Sequence, residues 1–432
     1  MSPTHGAPRP RVRLKVQSLA FGGDGVGRDP QGRVVLVPNT TPGDEVEVVI
    51  VQEKKGHARG EIARLICPSP SRVTPPCPLF VAGCGGCQWQ QVGISAQRAA
   101  KEDVVRRALR HVTDDVEPMR APSPEYNWRR RARLHFRRVG DGPAIVGYAM
   151  RRSHRLIDVG TCPQLEKPLD RALVAIRHGL ASSLEGAGEI DLLLGGRGDV
   201  QAVVRGHGVR EMAEHARSLL GREGIVSVAL WDKDGQETIG TPVIDLADDP
   251  LPFLARADVF AQVSAAGNAE LRRLVAMACG DLSGHDVLEL FAGSGNFTRD
   301  LGLAKAVTSI EEAPMARELG LRNLSLRGLE ERVDFIGDRV ERALLSMTRA
   351  SHRFDVVVLD PPRTGLPPGL ADLLAALSPA RIVYVSCDPP TLARDLIALA
   401  AAGPFRTEKA TPVDLMPQTY HVEAVATVVR HS

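Results

Sequence analysis

The sequence has little net charge and no long hydrophobic run. Its 432 residues carry a formal net charge of +2, so the total charge does not indicate a nucleic-acid-binding protein. No apolar run approaches the roughly 18 residues that would cross a bilayer. Residues 1–15 also lack the apolar stretch of a secretion signal. We therefore expect a cytoplasmic protein that does not contact a membrane.

Cysteine is too scarce for a disulfide scaffold, because the seven residues are spread over a long chain and their number is odd. Three of them, Cys77, Cys84 and Cys87, nevertheless fall within eleven positions. Such clustering indicates a metal ion or a metal cluster rather than ordinary packing.

The N-terminal part of the chain reads as a small β-barrel. Residues 11–66 alternate apolar and polar positions, as in Val34–Val37 and 46–51, between glycine-rich turns. Short strands at this spacing are typical of OB-like barrels, many of which bind oligonucleotides. A purely structural β-domain fits the pattern equally well, so both interpretations stay open.

The rest of the chain predicts an α/β protein of about two to four domains in all. Residues 94–109 have helical spacing, and residues 126–260 read as a mixed α+β region. From about residue 266, strands alternate with helices, which predicts a doubly wound, Rossmann-like parallel sheet. We expect a barrel over 1–66, a central domain over 67–261 and a third domain over 262–432, with helix 94–109 packed on the third.

A glycine turn and two acids predict a ligand site at one edge of this sheet. An apolar strand runs into Gly293-Ser294-Gly295, where the backbone can approach a ligand, although the third glycine of the dinucleotide fingerprint is absent. Glu311 and Asp338 follow the next two strands, where carboxylates can accept bonds from ribose hydroxyls. Each acid alone could be a solvated loop residue, but with the glycine turn the set favours a ligand.

Three further side chains lie at strand ends in the same region. Asp360 ends one strand and precedes two prolines, and Cys387 ends the next. A cysteine beside a ligand site is placed for chemistry, although it could equally be a small buried residue. Glu423 stands at the mouth of the last apolar strand, where it could serve as a general base or lie on the surface.

These segments together resemble the RNA 5-methyluridine methyltransferases of the TrmA/RumA type, over nearly the whole chain. The matching motifs are 288–298, 360–365, 383–396 and 421–425, in the family's order and spacing. The N-terminal barrel resembles a TRAM domain, an RNA-binding module. The resemblance implies transfer of a methyl group from S-adenosylmethionine to C5 of a uridine, in a loop of ribosomal or transfer RNA. No obligate protein partner is implied.

The resemblance also implies roles for individual residues. Cys387 would be the nucleophile that adds to uracil C6, and Glu423 would be the base that removes the C5 proton. Six residues would line the site of the methyl donor: Gln262, Phe291, Asn296, Glu311, Asp338 and Asp360. The family usually has Asn where this chain has Ser264, which leaves the role of Ser264 open.

The clustered cysteines resemble the iron–sulfur loop of the same family. Cys77, Cys84 and Cys87, with Cys162 as the fourth ligand, would hold a [4Fe–4S] cluster. Six residues separate the first two cysteines where the family commonly has five, and a structural zinc site with the same four thiolates is the alternative. Cys67 and Cys279 are expected to lie outside the site.

A strongly basic stretch between residues 129 and 155 predicts contact with RNA. Asp141 is its only acid, and aromatic residues interleave with the arginines, which suits phosphate binding and base stacking. The alternative is a solvated strand face. The nine arginines are Arg129, Arg130, Arg131, Arg133, Arg137, Arg138, Arg151, Arg152 and Arg155.

Several other functions compete with uridine methylation. An N-methyltransferase would share the Asp-Pro-Pro element, but it usually has an aromatic residue in place of Arg363 and has no use for Cys387. A 5-methylcytosine enzyme is a second rival, and an RNA-binding iron–sulfur protein without catalysis is a third. A radical S-adenosylmethionine enzyme is disfavoured, because its Cys-x3-Cys-x2-Cys spacing is absent.

Overall fold

The computed structural model describes residues 10–246 and 250–431, which form three regions that each contain their own β-sheet. Within these ranges, the helices are all too short or too polar to cross a membrane. The fold class predicted from the sequence is confirmed, with an N-terminal barrel, a central α+β region and a C-terminal doubly wound sheet.

The N-terminal region is a closed five-stranded barrel with the strand order β1-β2-β3-β5-β4. Valines on alternate positions of β3 and β4 are fully buried in its centre, as the period of two predicts. The strands are β1 (Arg11–Leu19), β2 (Gly25–Arg28), β3 (Val34–Val37), β4 (Glu45–Lys54) and β5 (His57–Cys67).

Strand β2 was missed by the sequence analysis, which treated the glycines from Gly22 to Gly25 as a break. Two of the four residues in β2 are glycines, and they pack closely. A Cβ at Gly25 would lie 1.9 Å from Thr40 Oγ1, and one at Gly27 would lie 2.6 Å from Leu14 Cδ1. Because these two glycines have no side chain, neighbouring side chains can pack closely against strand β2.

The central region is a seven-stranded sheet with the order β12-β11-β10-β9-β6-β7-β8, in which only β10 and β11 pair in parallel. Helices α1 (Pro78–Val81) and α2 (Ile94–Leu109) precede it in the chain. Its elements are β6 (Arg131–Arg137), β7 (Ile145–Ala149), β8 (Leu156–Asp158), α3 (Lys167–Leu180), β9 (Ala187–Leu194), β10 (Val200–Gly206), α4 (Ala213–Leu219), β11 (Ile225–Asp232) and β12 (Gly235–Gly240).

The C-terminal region is a second seven-stranded sheet, with the order β17-β16-β15-β18-β19-β21-β20. Its first five strands are parallel, and β21 and β20 are antiparallel to their neighbours. A short hairpin precedes it, formed by β13 (Ile244–Asp245) and β14 (Leu254–Ala255). The remaining elements are α5 (Ala265–Cys279), β15 (Asp286–Leu290), α6 (Thr298–Leu301), β16 (Ala306–Ile310), α7 (Pro314–Ser325), β17 (Val333–Ile336), α8 (Val340–Arg349), β18 (Val356–Leu359), α9 (Leu370–Leu377), β19 (Arg381–Ser386), α10 (Pro389–Ala402), β20 (Phe405–Val413) and β21 (Glu423–Arg430).

Helix α2 packs on this C-terminal sheet although it precedes the central region in sequence. Val105 and Leu109 of α2 are buried in the same apolar cluster as the side chains of β18 and β19. The segment after the helix pairs with β20 through isolated bridges at Val116 and Arg120. The domain boundaries at residues 66 and 261 remain predictions, with α2 contributing to the third domain.

Candidate functional site

The strands of the C-terminal sheet bring three predicted residues to one edge. Leu359 at the end of β18 is paired with Tyr384 of β19, and Ser386 of β19 is paired with Ala424 of β21. Continuing the second register by one residue puts Cys387 opposite Glu423, the first residue of β21. Asp360 directly follows β18, next to the same edge. We call Cys387, Glu423 and Asp360 the reactive edge.

Burial raises the pKa values of the two carboxyl groups of the reactive edge. Glu423 is 7% exposed, and its burial, together with the charge of Asp360, raises its pKa to about 8. Burial raises the pKa of Asp360 to about 7. Among the residues that the structure describes, neither carboxyl group has a hydrogen-bond or ion-pair partner. Two carboxyl groups that are partly protonated near neutrality can exchange protons with a ligand.

Cys387 lies half-buried between these acids. Burial raises the pKa of its thiol to about 12, and the charges of Glu423 and Asp360 add to the rise. The guanidinium group of Arg363 opposes the rise and favours the thiolate. Arg363 is thus a basic group that acts on the thiol, although its sequence position indicated only a departure from another motif.

The loop that carries Arg363 is held by a buried acid that the sequence analysis missed. Asp395 of α10 accepts a hydrogen bond from Leu366 N at 2.8 Å and another from Tyr384 Oη at 2.6 Å. Gly365 has a φ of 73°, and a Cβ there would lie 2.2 Å from Asp395 Oδ2. The signal for Asp395 was its place on the apolar face of α10, two turns after the cysteine.

The glycine turn after β15 is held by Glu311. Gly293 N and Ala313 N each donate to one of its carboxylate oxygens at 2.8 Å. Phe291, at the start of the turn, has a φ of 61°, an uncommon conformation for a bulky residue that is typical of strained functional turns. The backbone therefore bends sharply where the sequence predicts a ligand.

Other predicted ligand-site residues are already bonded within the protein. Asn296 and Asn268 exchange two side-chain hydrogen bonds of 2.9 Å. Asp338 accepts bonds of 2.6 and 2.8 Å from Arg342 Nε, one turn further along. Gln262 is half-buried, and its carbonyl accepts a bond from the arginine at position 130.

Ser264, whose role was open, is the N-cap of helix α5. Its Oγ accepts a hydrogen bond from Gly267 N at 3.1 Å and lies 2.8 Å from Ser123 Oγ. Capping satisfies one of the unpaired amides of the first helical turn, which accounts for this residue structurally.

The four clustered cysteines line one cavity of about 230 Å³ between the segment around α1 and the central sheet. Burial raises the pKa of Cys87 to about 12 and that of Cys162 to about 11, with neighbouring cysteines adding to each rise. In the described ranges, no three side chains of His, Cys, Asp or Glu converge closely enough to hold a single metal ion. Cys67 and Cys279 lie outside this cavity.

Most of the basic stretch is paired inside the protein. Arg133 donates to Asp191 of β9 at 2.8 Å, and Arg152 donates to Asp24 of the barrel at 2.6 and 2.7 Å. Arg151 lies 4.0 Å from the ring of Phe80. The exposed members of the stretch include Arg137 and Arg155. The predicted RNA contact of this stretch did not take these internal partners into account, and it stays a prediction.

A groove runs between the barrel, the cysteine-bearing loop and the basic stretch. Its lining includes residues 22–24 and 148–155 together with Gly83, Gln88 and Tyr420. The ring of Tyr420 packs 4.2 Å from that of His421, two residues before Glu423. The groove thus includes one residue of the segment that leads into the reactive edge.

Comparisons with known proteins agree with this arrangement. Residues 236–431 match the family model for tRNA (uracil-5-)-methyltransferases, and residues 9–63 match that for the TRAM domain. The chain is 34% identical to the 23S rRNA (uracil(1939)-C(5))-methyltransferase RlmD of Salmonella paratyphi A, covering 96% of this chain and 95% of that protein. It is 33% identical to an uncharacterized RNA methyltransferase of Gloeobacter violaceus, covering 97% and 96%.

The chain belongs to the RNA uracil-C5 methyltransferases of the TrmA/RumA type. The predictions of the family, of the TRAM barrel and of an S-adenosylmethionine-dependent RNA (uracil-C5)-methyltransferase are thereby confirmed.

The fold of this RNA uracil-C5 methyltransferase is shared with a solved structure. That structure is the Pyrococcus abyssi tRNA (uracil-54, C5)-methyltransferase in complex with S-adenosyl-L-homocysteine, with a TM-score of 0.73 and 23% identity. The alignment covers 96% of this methyltransferase and 100% of that chain. The roles of individual residues in the methyltransferase remain proposals.

Proposed function

We propose that Cys387 forms a covalent bond to C6 of a target uridine and that Glu423 then removes the proton from C5. The observation that supports this is the register between β19 and β21, whose last pair is Ser386 with Ala424, so that one further step along it would bring Cys387 opposite Glu423. A nucleophile and a base must reach adjacent atoms of one ring, and neighbouring strand ends provide that separation.

The Cys387 thiolate adds to C6, and the electron pair of the C5=C6 bond makes C5 nucleophilic. S-adenosylmethionine, when bound, supplies an electrophilic methyl group for C5. The Glu423 carboxylate then takes the C5 proton, the C5=C6 bond re-forms, and the C6–S bond breaks to release the thiolate.

The glycine turn is the proposed holding site for the methyl donor. Its strained Phe291 and the close backbone at Gly293 fit a ligand that lies against the main chain. Each Glu311 oxygen uses one lone pair for the turn, which leaves a second free for a ribose hydroxyl. Gln262, Phe291, Asn296, Glu311, Asp338 and Asp360 remain the proposed lining.

Nucleoside analysis tests the reaction class. Purified protein is incubated with S-adenosylmethionine carrying a labelled methyl group and with unmodified RNA, and the digested RNA is separated by chromatography. We expect label in 5-methyluridine, abolished by Cys387→Ala and retained by Cys67→Ala. Label in 5-methylcytidine or in an N-methylated base would contradict the proposal.

We further propose ribosomal RNA as the substrate. Relatives at 32–34% identity over more than nine-tenths of this chain carry the name of 23S rRNA methyltransferases. Equal amounts of ribosomal and transfer RNA from cells lacking this enzyme would be compared as substrates. We expect faster methylation of the ribosomal RNA, and faster methylation of transfer RNA would overturn this choice.

The groove beside Tyr420 is the proposed path of the RNA strand. Arg155 is exposed in its wall and can bind a phosphate. We expect Arg155→Gln to weaken RNA binding a few-fold and to lower the salt dependence by about one phosphate contact. Arg349→Gln, an exposed arginine on α8, is the control, and equal effects of both variants would contradict this path.

A [4Fe–4S] cluster is the proposed occupant of the cysteine cavity. The donor set fits, because four thiols line one cavity. Cys77, Cys84, Cys87 and Cys162 would hold it in a structural role. Iron, sulfide and visible absorbance of anaerobically purified protein test this, and we expect Cys162→Ser to lose all three signals. Bound zinc without iron would contradict the cluster.

A further inference from the structure

The proposed base has no hydrogen-bond or ion-pair partner among the described residues, so its position depends on the segment that carries it. Residues 414–422 connect β20 to β21 and end at Glu423; we call them the base loop. Helix α2 lies against this loop although it is about 300 residues earlier in the chain. The contacts between the two are polar and buried.

Lys101 of α2 makes the first of these contacts. It is fully buried, and its Nζ donates to Asp414 Oδ1 at 2.5 Å and to Met416 O at 2.9 Å. Asp414 is fully buried as well. Removing both charges from water is costly, and well-packed apolar residues would often give equal or greater stability. Stability alone therefore does not account for this pair.

Gln97, one turn earlier on α2, makes the second contact. Its Nε2 donates to Gln418 Oε1 and its Oε1 accepts from Gln418 N, both at 2.8 Å. Gln418 has a φ of 68°, in the left-handed region that non-glycine residues rarely adopt. Its carbonyl also accepts bonds from Gln88 N at 3.1 Å and Trp89 N at 3.0 Å. The surrounding bonds hold Gln418 in this strained conformation.

We infer that Gln97 and Lys101 are positioning residues for the reaction: they fix the base loop so that Glu423 lies opposite Cys387. This inference rests on the proposed role of Glu423. The charge of Lys101 also lowers the pKa of Glu423, which favours the carboxylate form needed to accept a proton. Among the described residues, the side-chain hydrogen bonds of Gln97 and Lys101 go to the segment 89–92 and to the base loop, so the two residues act through the loop.

The test separates adduct formation from adduct release. When the base is displaced, Cys387 can still add to uracil and C5 can still take the methyl group, but the C5 proton is not removed. The methylated covalent adduct then accumulates and can be measured on a denaturing gel. A loss of folded protein would instead lower formation and release together.

The variant Lys101→Met/Asp414→Leu replaces both buried charges with apolar side chains, and Arg98, which lies 3.5 Å from Asp414, is partly exposed and can be solvated, so the variant is expected to fold. We expect adduct formation within about twofold of the parent, at least about tenfold slower release and an unchanged KM for RNA. Gln97→Leu is expected to act in the same direction and covers the case in which the double variant does not fold. Arg106→Gln, exposed on the same helix, is the control.

Glu423→Gln is measured in parallel to separate the two hypotheses. If Glu423→Gln accumulates adduct but the α2 variants release it at the parent rate, the positioning inference is wrong and the base assignment stands. If Glu423→Gln releases adduct at the parent rate, the base assignment itself is wrong. Equal slowing of formation and release in both α2 variants would also overturn the positioning role.

Discussion

The two seven-stranded sheets of this protein differ in whether buried acidic side chains are paired with basic ones. In the central sheet, the fully buried Asp191 binds Arg133 at 2.8 Å and also accepts a bond from Arg205. At the edge of the C-terminal sheet, Asp360 and Glu423 have raised pKa values and, within the described chain, no bonded partner. Matched charges hold a structure together, whereas unmatched ones are ready to exchange protons.

Removing the nucleophile should give the largest effect on the reactive side of this comparison. We expect Cys387→Ala to lower kcat/KM for RNA methylation by at least about 10⁴-fold, because no other group can form the bond to C6. Steady-state methyl transfer measures this, and the melting temperature should stay near that of the parent. Residual activity above a hundredth of the parent would show that the thiol is dispensable.

Removing the base should give the next largest effect. We expect Glu423→Gln to lower kcat by about 10²–10⁴-fold, since the C5 proton then has no acceptor. Glu408→Gln, an exposed glutamate on the neighbouring strand β20, is the matched control. The assignment fails if both variants turn over at similar rates.

The raised pKa values also predict how activity depends on pH. Glu423 acts only as a carboxylate, and burial raises its pKa to about 8, so its protonation alone lowers kcat/KM about tenfold per pH unit below pH 8. The Cys387 thiol, with its pKa raised to about 12, adds a second factor of about ten per pH unit, so kcat/KM should fall about a hundredfold per unit below pH 8 and about tenfold per unit between pH 8 and pH 9. Rates between about pH 6 and pH 9 measure this. A decrease in activity as the pH rises over that range would contradict the assignment.

A substitution at the buried acid of the central sheet should lower the stability of the protein and leave the reaction rate nearly unchanged. We expect Asp191→Asn to cost about 1–3 kcal/mol of unfolding free energy, because both arginines lose their partner but remain partly exposed. Urea unfolding measures this, and kcat should change less than about twofold. Asp360 has no bonded partner in the part of the chain that the structure describes, so Asp360→Asn should not lower the stability. A loss of stability in Asp360→Asn without one in Asp191→Asn would contradict this difference between the two sheets.

Local patterns predicted much of this fold from the sequence. The bounds of α2 and of the strands that end at Asp360 and Cys387 follow from spacing and from apolar runs. Strand ends also indicated which side chains share the reactive edge, because parallel strands end together. Strand β2 was missed because glycine usually marks a turn, while here it permits close packing.

Contacts between residues that are far apart in the sequence could not be predicted from local patterns. Lys101 and Asp414 are 313 residues apart, and no local period relates them. The basic stretch looked like a surface for RNA because the acids that pair with it, Asp24 and Asp191, lie elsewhere in the sequence. Asn296 was predicted only as a ligand contact, for the same reason: its partner Asn268 lies 28 residues earlier, on helix α5.

Trapping with 5-fluorouridine-substituted ribosomal RNA tests the central claim most directly. Fluorine at C5 cannot leave as a proton, so the protein should remain covalently attached to the RNA after methylation. We predict an intact-protein mass that includes RNA, an attached peptide containing Cys387, and no adduct with Cys387→Ala, while Cys67→Ala still forms it. Methylation of unsubstituted RNA without any trapped adduct would contradict the covalent mechanism.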